Sequence, residues 1–141
     1  MAIFVADASV ALAWCLQDEA TAWTDQLLDG LRNGDRIEVP AHWPTEMSNG
    51  LLMAARRKRI QPGDPQRFWD QLASLPIVVE PPLSPDQAKT VLDLCELHNL
   101  TAYDAAYLEL ARRKGWSLAT QDSDLLRAAP REGVLLAARH P

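Results

Sequence analysis

Four acidic residues offer the strongest chemistry in this sequence: Asp7, Glu46, Asp104 and Asp122. If their carboxylates converge, the like charges raise one another's pKa values, and the group needs a compensating positive charge. A hard divalent cation such as Mg²⁺ or Mn²⁺ meets that need, because it prefers oxygen ligands and keeps several of its waters. Such a centre can activate a water molecule and stabilise the charge that builds up on a phosphate.

Two of these acids follow apolar runs that predict strands. Asp7 comes directly after Ile3-Phe4-Val5-Ala6, and Asp122 comes just after Leu118-Ala119-Thr120. Continuous apolar runs of this length are typical of strands buried on both faces in a parallel sheet. Open parallel sheets bind their ligands at the carboxyl ends of the strands. We therefore expect Asp7 and Asp122 to lie at one edge of the sheet.

The other two acids fall in the first turns of predicted helices, and three of the four have a structural alternative. Glu46 would favour a helix N-terminal dipole, and Asp104, three residues after Thr101, would complete a variant capping box. Asp122 would serve as an N-cap. Asp7 is harder to explain in this way, because an unpaired carboxylate between an apolar strand and an apolar helix is costly to bury.

Strand-like and helix-like segments alternate along the chain. The predicted strands are Ile3–Ala6, Ile37–Pro40, Ile77–Val79, Ser117–Thr120 and Val134–Ala137. The predicted helices run from Ser9 to Gly34, Trp43 to Arg59, Gln66 to Leu75, Ser84 to His98 and Thr101 to Gly115, and a short one follows Asp122. The fifth of these helices is expected to carry Tyr103, Ala106, Tyr107, Leu110 and Ala111 inward. This alternation predicts a single α/β domain over residues 1–141 with a mostly parallel sheet.

Composition favours a globular protein of the cytoplasm. Hydrophobic residues make up 48% of the 141 residues, and no apolar run approaches the roughly 20 residues of a membrane span. The apolar start lacks a basic leader and contains Asp7, so we expect no signal peptide and no membrane partner. Cys15 and Cys95 lack metal-ligand spacing, and we expect both to be small buried thiols.

Motifs for other chemistries are absent. The sequence contains no GxxxxGK[ST], GxGxxG or GxSxG pattern, and His42, His98 and His140 do not have the spacing of metal ligands. One enzymatic alternative is a haloacid dehalogenase-like phosphatase with Asp7 as nucleophile. Such enzymes usually carry a second Asp two residues later, where this chain has Ser9.

The net charge of −5 conceals two basic clusters, which contain Arg56, Arg57, Lys58, Arg59, Arg112, Arg113 and Lys114. Local clusters rather than net charge set the attraction for phosphates, so these residues are candidate nucleic-acid contacts. The alternative is that they are solvated helix ends, where cations interact favourably with the helix dipole.

Four ordered blocks of the sequence resemble those of PIN-domain ribonucleases, in particular the VapC toxins of VapBC toxin–antitoxin pairs. The blocks are FVADASVALAW from Phe4, WPTEMSNGL from Trp43, LTAYDAAYLELA from Leu100 and LATQD from Leu118. They follow the family order and span nearly the whole chain.

The resemblance implies a PIN-like α/β/α sandwich and Mg²⁺- or Mn²⁺-dependent hydrolysis of RNA. It assigns Asp7, Glu46, Asp104 and Asp122 as the metal-binding and catalytic quartet, and Ser9, Asn49 and Thr120 as supporting polar residues. Asp124 is an additional acid, but the spacing Thr120-x-Asp122 favours Asp122 as the fourth ligand.

The resemblance also implies partners. We expect an RNA substrate, transfer RNA or ribosomal RNA, with the basic clusters as phosphate contacts. A cognate VapB-like antitoxin and a homodimer are expected as well. Trp14, Trp43, Met47 and Met53 are candidates to receive an apolar antitoxin segment, although such residues are more often part of the core. The alternative from another class is a catalytically silent PIN-like binding module.

Overall fold

The computed structural model describes residues 1–137, which contain four strands and seven α-helices. The strands are β1 (Ile3–Ala6), β2 (Arg36–Val39), β3 (Ile77–Val79) and β4 (Ser117–Ala119). The helices are α1 (Ala8–Cys15), α2 (Ala22–Arg32), α3 (Trp43–Arg56), α4 (Asp64–Ala73), α5 (Pro85–His98), α6 (Ala102–Lys114) and α7 (Ser123–Arg131). A 3₁₀ turn, Gln17–Glu19, separates α1 from α2.

The four strands form one sheet in the order β3-β2-β1-β4, and every pair is parallel. In the register, Val5 of β1 lies opposite Glu38 of β2 on one side and Leu118 of β4 on the other. Because all the strands run the same way, their carboxyl ends lie along one edge. The expected α/β class with a parallel sheet is confirmed.

The helices cover the sheet in two groups. The connections β1–β2 and β2–β3 step in one direction across the sheet, whereas β3–β4 steps back past β1. Since such crossovers are right-handed, α1 to α4 belong to one face and α5 and α6 to the other. The contacts agree with this division: α3 packs against α1 and α4, while α6 packs against α5 and α7. Both α1 and α6 contact β1, which therefore lies between two helical layers.

The region predicted as one helix from Ser9 to Gly34 is two helices. The chain turns at Leu16, whose backbone is extended, and Thr21 begins the second helix with a capping box. Trp14 Nε1 donates to the carbonyl of Thr24 over 2.7 Å and ties the end of α1 to the start of α2. The apolar spacing continues through the turn because both helices contribute buried side chains to the same core.

Three further expectations need correction. Tyr103 was expected to point inward but is 64% exposed. The strand predicted over residues 134–137 is reduced to a bridge between Leu136 and Leu118. Cys15 and Cys95 are free thiols, but each is half-buried rather than buried; burial raises the pKa of Cys15 to about 11. His140 lies outside the described residues.

Within residues 1–137, no helix is both long enough and apolar enough to cross a membrane.

Neighbouring leucines in α3 test the packing of the helical layer. Leu51 is fully buried, whereas Leu52 is 40% exposed. We expect Leu51→Ala to lower the free energy of unfolding by about 2–5 kcal/mol, because it removes buried methyl groups and leaves a cavity. Leu52→Ala, the control, should cost less than about 1 kcal/mol. Urea unfolding followed by circular dichroism measures both, and equal losses would contradict this packing.

Candidate active site

The candidate site lies where β1 and β4 end side by side. From β1 the chain crosses to β2 on one side, and from β4 it leads to the bridge at Leu136 on the other. Crevices at such a reversal of strand order are the usual ligand sites of open α/β sheets. Asp7 follows β1 directly, and Thr120 and Asp122 follow β4.

Asp7 is a buried carboxylate, only 5% exposed, at the N-cap of α1. Its Oδ1 accepts from the backbone N of Ser9 (3.1 Å) and from Ser9 Oγ (2.5 Å), and its Oδ2 accepts from the hydroxyl of Thr120. Desolvation by burial raises the pKa of Asp7 to about 6, with a smaller contribution from the charge of Asp122, while the hydrogen bonds act in the opposite direction. The fold therefore holds a carboxylate whose charge is only partly compensated.

Thr120 and Ser9 join the two strand ends. Besides donating to Asp7, the Thr120 hydroxyl oxygen accepts from the backbone N of Asp122 over 2.9 Å. Ser9 Oγ accepts from the backbone N of Gln121 over 3.1 Å. Asp122 is the N-cap of α7 and accepts from the backbone N of Leu125 over 2.9 Å. One network thus fixes Asp7 and Asp122 relative to each other.

Asp104 lies half-buried in the first turn of α6. Its backbone N donates to the N-cap Thr101 Oγ1 over 3.2 Å. Desolvation raises the pKa of Asp104, the charges of Asp122, Glu46 and Asp124 raise it further, and the hydrogen bond with Thr101 lowers it. The acids of α3, α6 and α7 therefore share one electrostatic environment.

Glu46, in the first turn of α3, is tied to α6. Its Oε1 accepts from the Tyr107 hydroxyl over 2.5 Å and lies 3.0 Å from His42 Nε2. His42 Nε2 forms no hydrogen bond with the described residues, so His42 contributes a close polar contact. Burial raises the pKa of Tyr107 above its usual value, and Glu46 raises it further. Tyr107 therefore stays a neutral donor to Glu46.

The acids are near enough to influence one another, but they do not form a closed set of ligands. Among residues 1–137, no three His, Cys, Asp or Glu side chains are close enough to hold a metal ion by themselves. In the same range, neither Lys nor Arg forms a salt bridge with Asp7, Glu46, Asp104 or Asp122. An all-oxygen donor set without a cationic partner suits Mg²⁺ or Mn²⁺, which are bound through few carboxylates and retain water.

Asp124 differs from Asp122 in its environment. Its side chain is 50% exposed and forms a salt bridge of 2.8 Å with Arg127. Asp122 instead joins the Thr120 network through its backbone N, and its charge contributes to the raised pKa of Asp7. This placement favours Asp122 as a member of the site. Asn49 is exposed one turn after Glu46 on α3.

The basic clusters lie away from the acids. Glu46 and Asp104 lie near the starts of α3 and α6, whereas Arg56 and Arg112 lie near the ends. At a rise of about 1.5 Å per residue, each acid and the arginine near the other end of its helix are roughly 12–15 Å apart along the helix axis. Several of these cations also have acidic partners: Arg59 binds Asp18 and Glu19, Arg112 binds Glu132, and Arg113 binds Glu109. RNA contact by these clusters stays a prediction.

Sequence reasoning missed Tyr107, His42 and Gln121. A signal existed for Tyr107, since it follows Asp104 by three residues and so lies on the same helical face. His42 precedes the predicted helix, so helical spacing did not connect it with Glu46. The contact between Gln121 and Ser9 depends on the pairing of β1 with β4, which no local pattern reveals.

The family of the chain follows from a match over most of its length. The PIN domain family model covers residues 4–130, and the chain belongs to this family. The expected resemblance to PIN-domain proteins is therefore confirmed.

Two solved structures that share the fold are similar to the chain over nearly its whole length. The crystal structure of PAE2754 from Pyrobaculum aerophilum matches with a TM-score of 0.69 and 24% identity, over 95% of this chain and 83% of that one. The crystal structure of VapBC2 from Rickettsia felis, bound to a DNA fragment from their promoter, matches with a TM-score of 0.67 and 14% identity, over 96% and 97%. These likenesses establish the fold alone. No protein with a curated description matches the sequence.

The raised pKa of Asp7 predicts an unusual pH dependence of stability. A carboxyl group with a higher pKa in the folded state binds more protons when folded, so stability falls as pH rises from about 4 to about 6. For a shift from 3.8 to about 6, the contribution in metal-free protein is about 2–3 kcal/mol.

Asp7→Asn lacks this titration and is the matched control. Urea unfolding in EDTA, at about pH 4 and about pH 7, should give wild type a larger loss of stability than the variant over that interval. Identical pH profiles would show that Asp7 titrates normally.

Proposed function

We propose that this chain is a metal-dependent endoribonuclease and the toxin of a type II toxin–antitoxin pair. PIN domains are generally nucleases. The observation that carries the proposal is the placement of Asp7, Asp122, Asp104 and Glu46 around the ends of β1 and β4. They share one electrostatic environment and have no cationic partner among residues 1–137, which supports a centre that is completed by a divalent ion.

Asp7, Glu46, Asp104 and Asp122 would hold Mg²⁺ or Mn²⁺. When bound, the ion supplies activation of water and stabilisation of charge on the scissile phosphate. A cation also offsets the repulsion that raises the pKa values of Asp7 and Asp104. The all-oxygen donors fit such an ion better than zinc, which favours nitrogen and sulfur ligands.

The polar residues around the acids would act as positioning groups. Ser9 and Thr120 fix both oxygens of Asp7, so that its orientation is set before substrate arrives. Tyr107 holds Oε1 of Glu46 from the opposite helix. Hydrogen bonds of this kind orient ligands, and their removal typically lowers metal affinity or activity about 10–100-fold.

The phosphatase alternative requires Asp7 to attack a phosphate as a nucleophile. Asp7 is 5% exposed, and both of its oxygens accept hydrogen bonds from Ser9 and Thr120. These surroundings suit an Asp7 carboxylate that is fixed as a metal ligand better than one that attacks a phosphate. The silent binding module is less well supported, because all four acids are retained.

A partner protein is part of the proposed toxin function. VapBC2 from Rickettsia felis was crystallised bound to a DNA fragment from their promoter. We propose that this chain likewise pairs with a VapB-like antitoxin, forms a homodimer, and acts on transfer RNA or ribosomal RNA in the cytoplasm.

Of the residues considered as contacts for an apolar antitoxin segment, Trp43 and Met47 are in the core and unsuited to that role. Trp14 is better placed, since it lines a groove of about 610 Å³ with Phe68 and Leu75.

Cleavage of RNA tests the enzymatic part of the proposal. We expect wild type to cut total RNA with Mg²⁺ or Mn²⁺, and EDTA, Asp7→Asn or Asp104→Asn to lower the rate by at least about 100-fold. Asp122→Asn should act like these variants, because Asn preserves the helix cap but removes the charge. The matched control Asp124→Asn should keep most of the activity.

Gel electrophoresis measures the rates, and sequencing of the cut ends identifies the RNA. Activity that persists in EDTA and in Asp104→Asn would refute a metal-dependent nuclease. A phosphorylated aspartate trapped on Asp7 would instead favour the phosphatase.

Expression in cells tests the toxin role. Wild type should arrest bacterial growth, whereas Asp104→Asn should not, because only the former degrades RNA. Co-expression of a small open reading frame adjacent to the gene should restore growth and yield a complex on co-purification. Growth arrest by both forms, or no effect from any adjacent reading frame, would contradict this role.

A further inference from the structure

An exposed aromatic ring stands beside the acidic site. Tyr103 precedes Asp104 in the first turn of α6 and is 64% exposed. Its ring lies 5.6 Å, centre to centre, from the ring of His42 at an angle of 55°. His42 also contacts Tyr107 edge-on at 5.1 Å and lies 3.0 Å from Glu46 Oε1. The exposed ring therefore packs against His42, which lies beside Glu46.

His42, which contacts this ring, also lines a small cavity. It has a volume of about 220 Å³ and its mostly apolar walls include Pro40, His42, Pro81, Leu83, Ala106 and Leu110. Glu80 and Arg113 also line it, and their charged groups lie 3.9 Å apart. Along α6, residues 103, 106, 110 and 113 follow one helical face. From the acidic site outward, this face of α6 therefore presents first the exposed ring, then the apolar wall and then the charged pair.

We propose that Tyr103, His42 and this cavity form a subsite for one unpaired nucleobase of the RNA substrate. The proposal rests on the function proposed above and specifies how that substrate is held. Proteins that recognise single-stranded RNA stack splayed bases on aromatic side chains and bind their edges with polar groups. Tyr103 offers the stacking surface, and the cavity that His42 lines receives the edge of the base.

Charge explains why such a subsite is needed. The chain has a net charge of −5, and the basic clusters lie at the opposite ends of α3 and α6 from the acids. Attraction for phosphate is therefore weak beside the acids themselves. Base stacking supplies affinity that does not depend on phosphate charge and tolerates different bases.

The size of the cavity favours a base over a protein segment. Sites for drug-sized ligands occupy about 300–1,000 Å³, and this cavity is smaller. It suits a single planar ring, whereas the groove beside Trp14 is larger. An antitoxin segment is the other occupant to be distinguished by experiment.

Fluorescence binding tests the stacking directly and does not require cleavage. Single-stranded RNA carries one 2-aminopurine, a base whose emission falls on stacking, at each position in turn, with Ca²⁺ present. Wild type should quench one position. Tyr103→Leu should abolish that quenching and weaken RNA binding about tenfold, while Tyr103→Phe should retain both. Leu97→Ala, which alters a residue that is 70% exposed on α5, is the control.

Cleavage kinetics separate this proposal from the general function. Removing the base at the quenched position should raise KM of wild type about tenfold but leave KM of Tyr103→Leu unchanged, because the two changes remove one interaction. If the RNA is cut but removal of any base changes KM equally in wild type and in Tyr103→Leu, the subsite is wrong and the proposed nuclease function stands.

The remaining outcomes are also decisive. Quenching without cleavage would refute the nuclease but support the base subsite. If Tyr103→Leu binds and cuts every RNA as wild type does but loses affinity for the antitoxin, the surface is a protein contact and the subsite is wrong. Because Tyr103 is exposed, the variants should keep the melting temperature of wild type.

Discussion

The site depends on the cost of burying one carboxylate where two strands end. Asp7 loses most of its water, and within the described residues its charge is compensated by dipoles, namely the hydroxyls of Ser9 and Thr120 and a backbone N. The backbone N of Asp7 continues the sheet by donating to the carbonyl of Ala119 over 3.2 Å. Strand pairing therefore sets the position of the carboxylate, and the hydroxyls set its orientation.

The sequence predicted the local part of this arrangement well. An apolar run that ends in Asp7 is informative because strand, strand end and acid are adjacent in the chain. The contacts that connect the acids are not local: Tyr107 reaches Glu46 across 61 positions, and Thr120 reaches Asp7 across 113. Such contacts depend on how α3 docks against α6 and how β1 pairs with β4, so no residue pattern within one segment reveals them.

The errors of prediction have the same origin. Apolar spacing records which face of a helix is buried, but it does not record a change of direction at Leu16 when both segments pack on one core. Tyr103 and Tyr107 lie one turn apart on α6, and only the second is buried. The periodicity treated them alike, because it carries no information on where the covering layer ends.

The distribution of charge along α3 and α6 gives the molecule an electrical polarity. Each helix has an acid near its start and arginine near its end, the order in which side-chain charges interact favourably with the helix dipole at both termini. A polyanion that diffuses toward the protein is attracted to the basic ends and repelled by the acidic edge. In the proposed function, a bound divalent ion would lower the negative charge at that edge, so the free concentration of the ion would set how fast a polyanion is admitted as well as how fast it is cut.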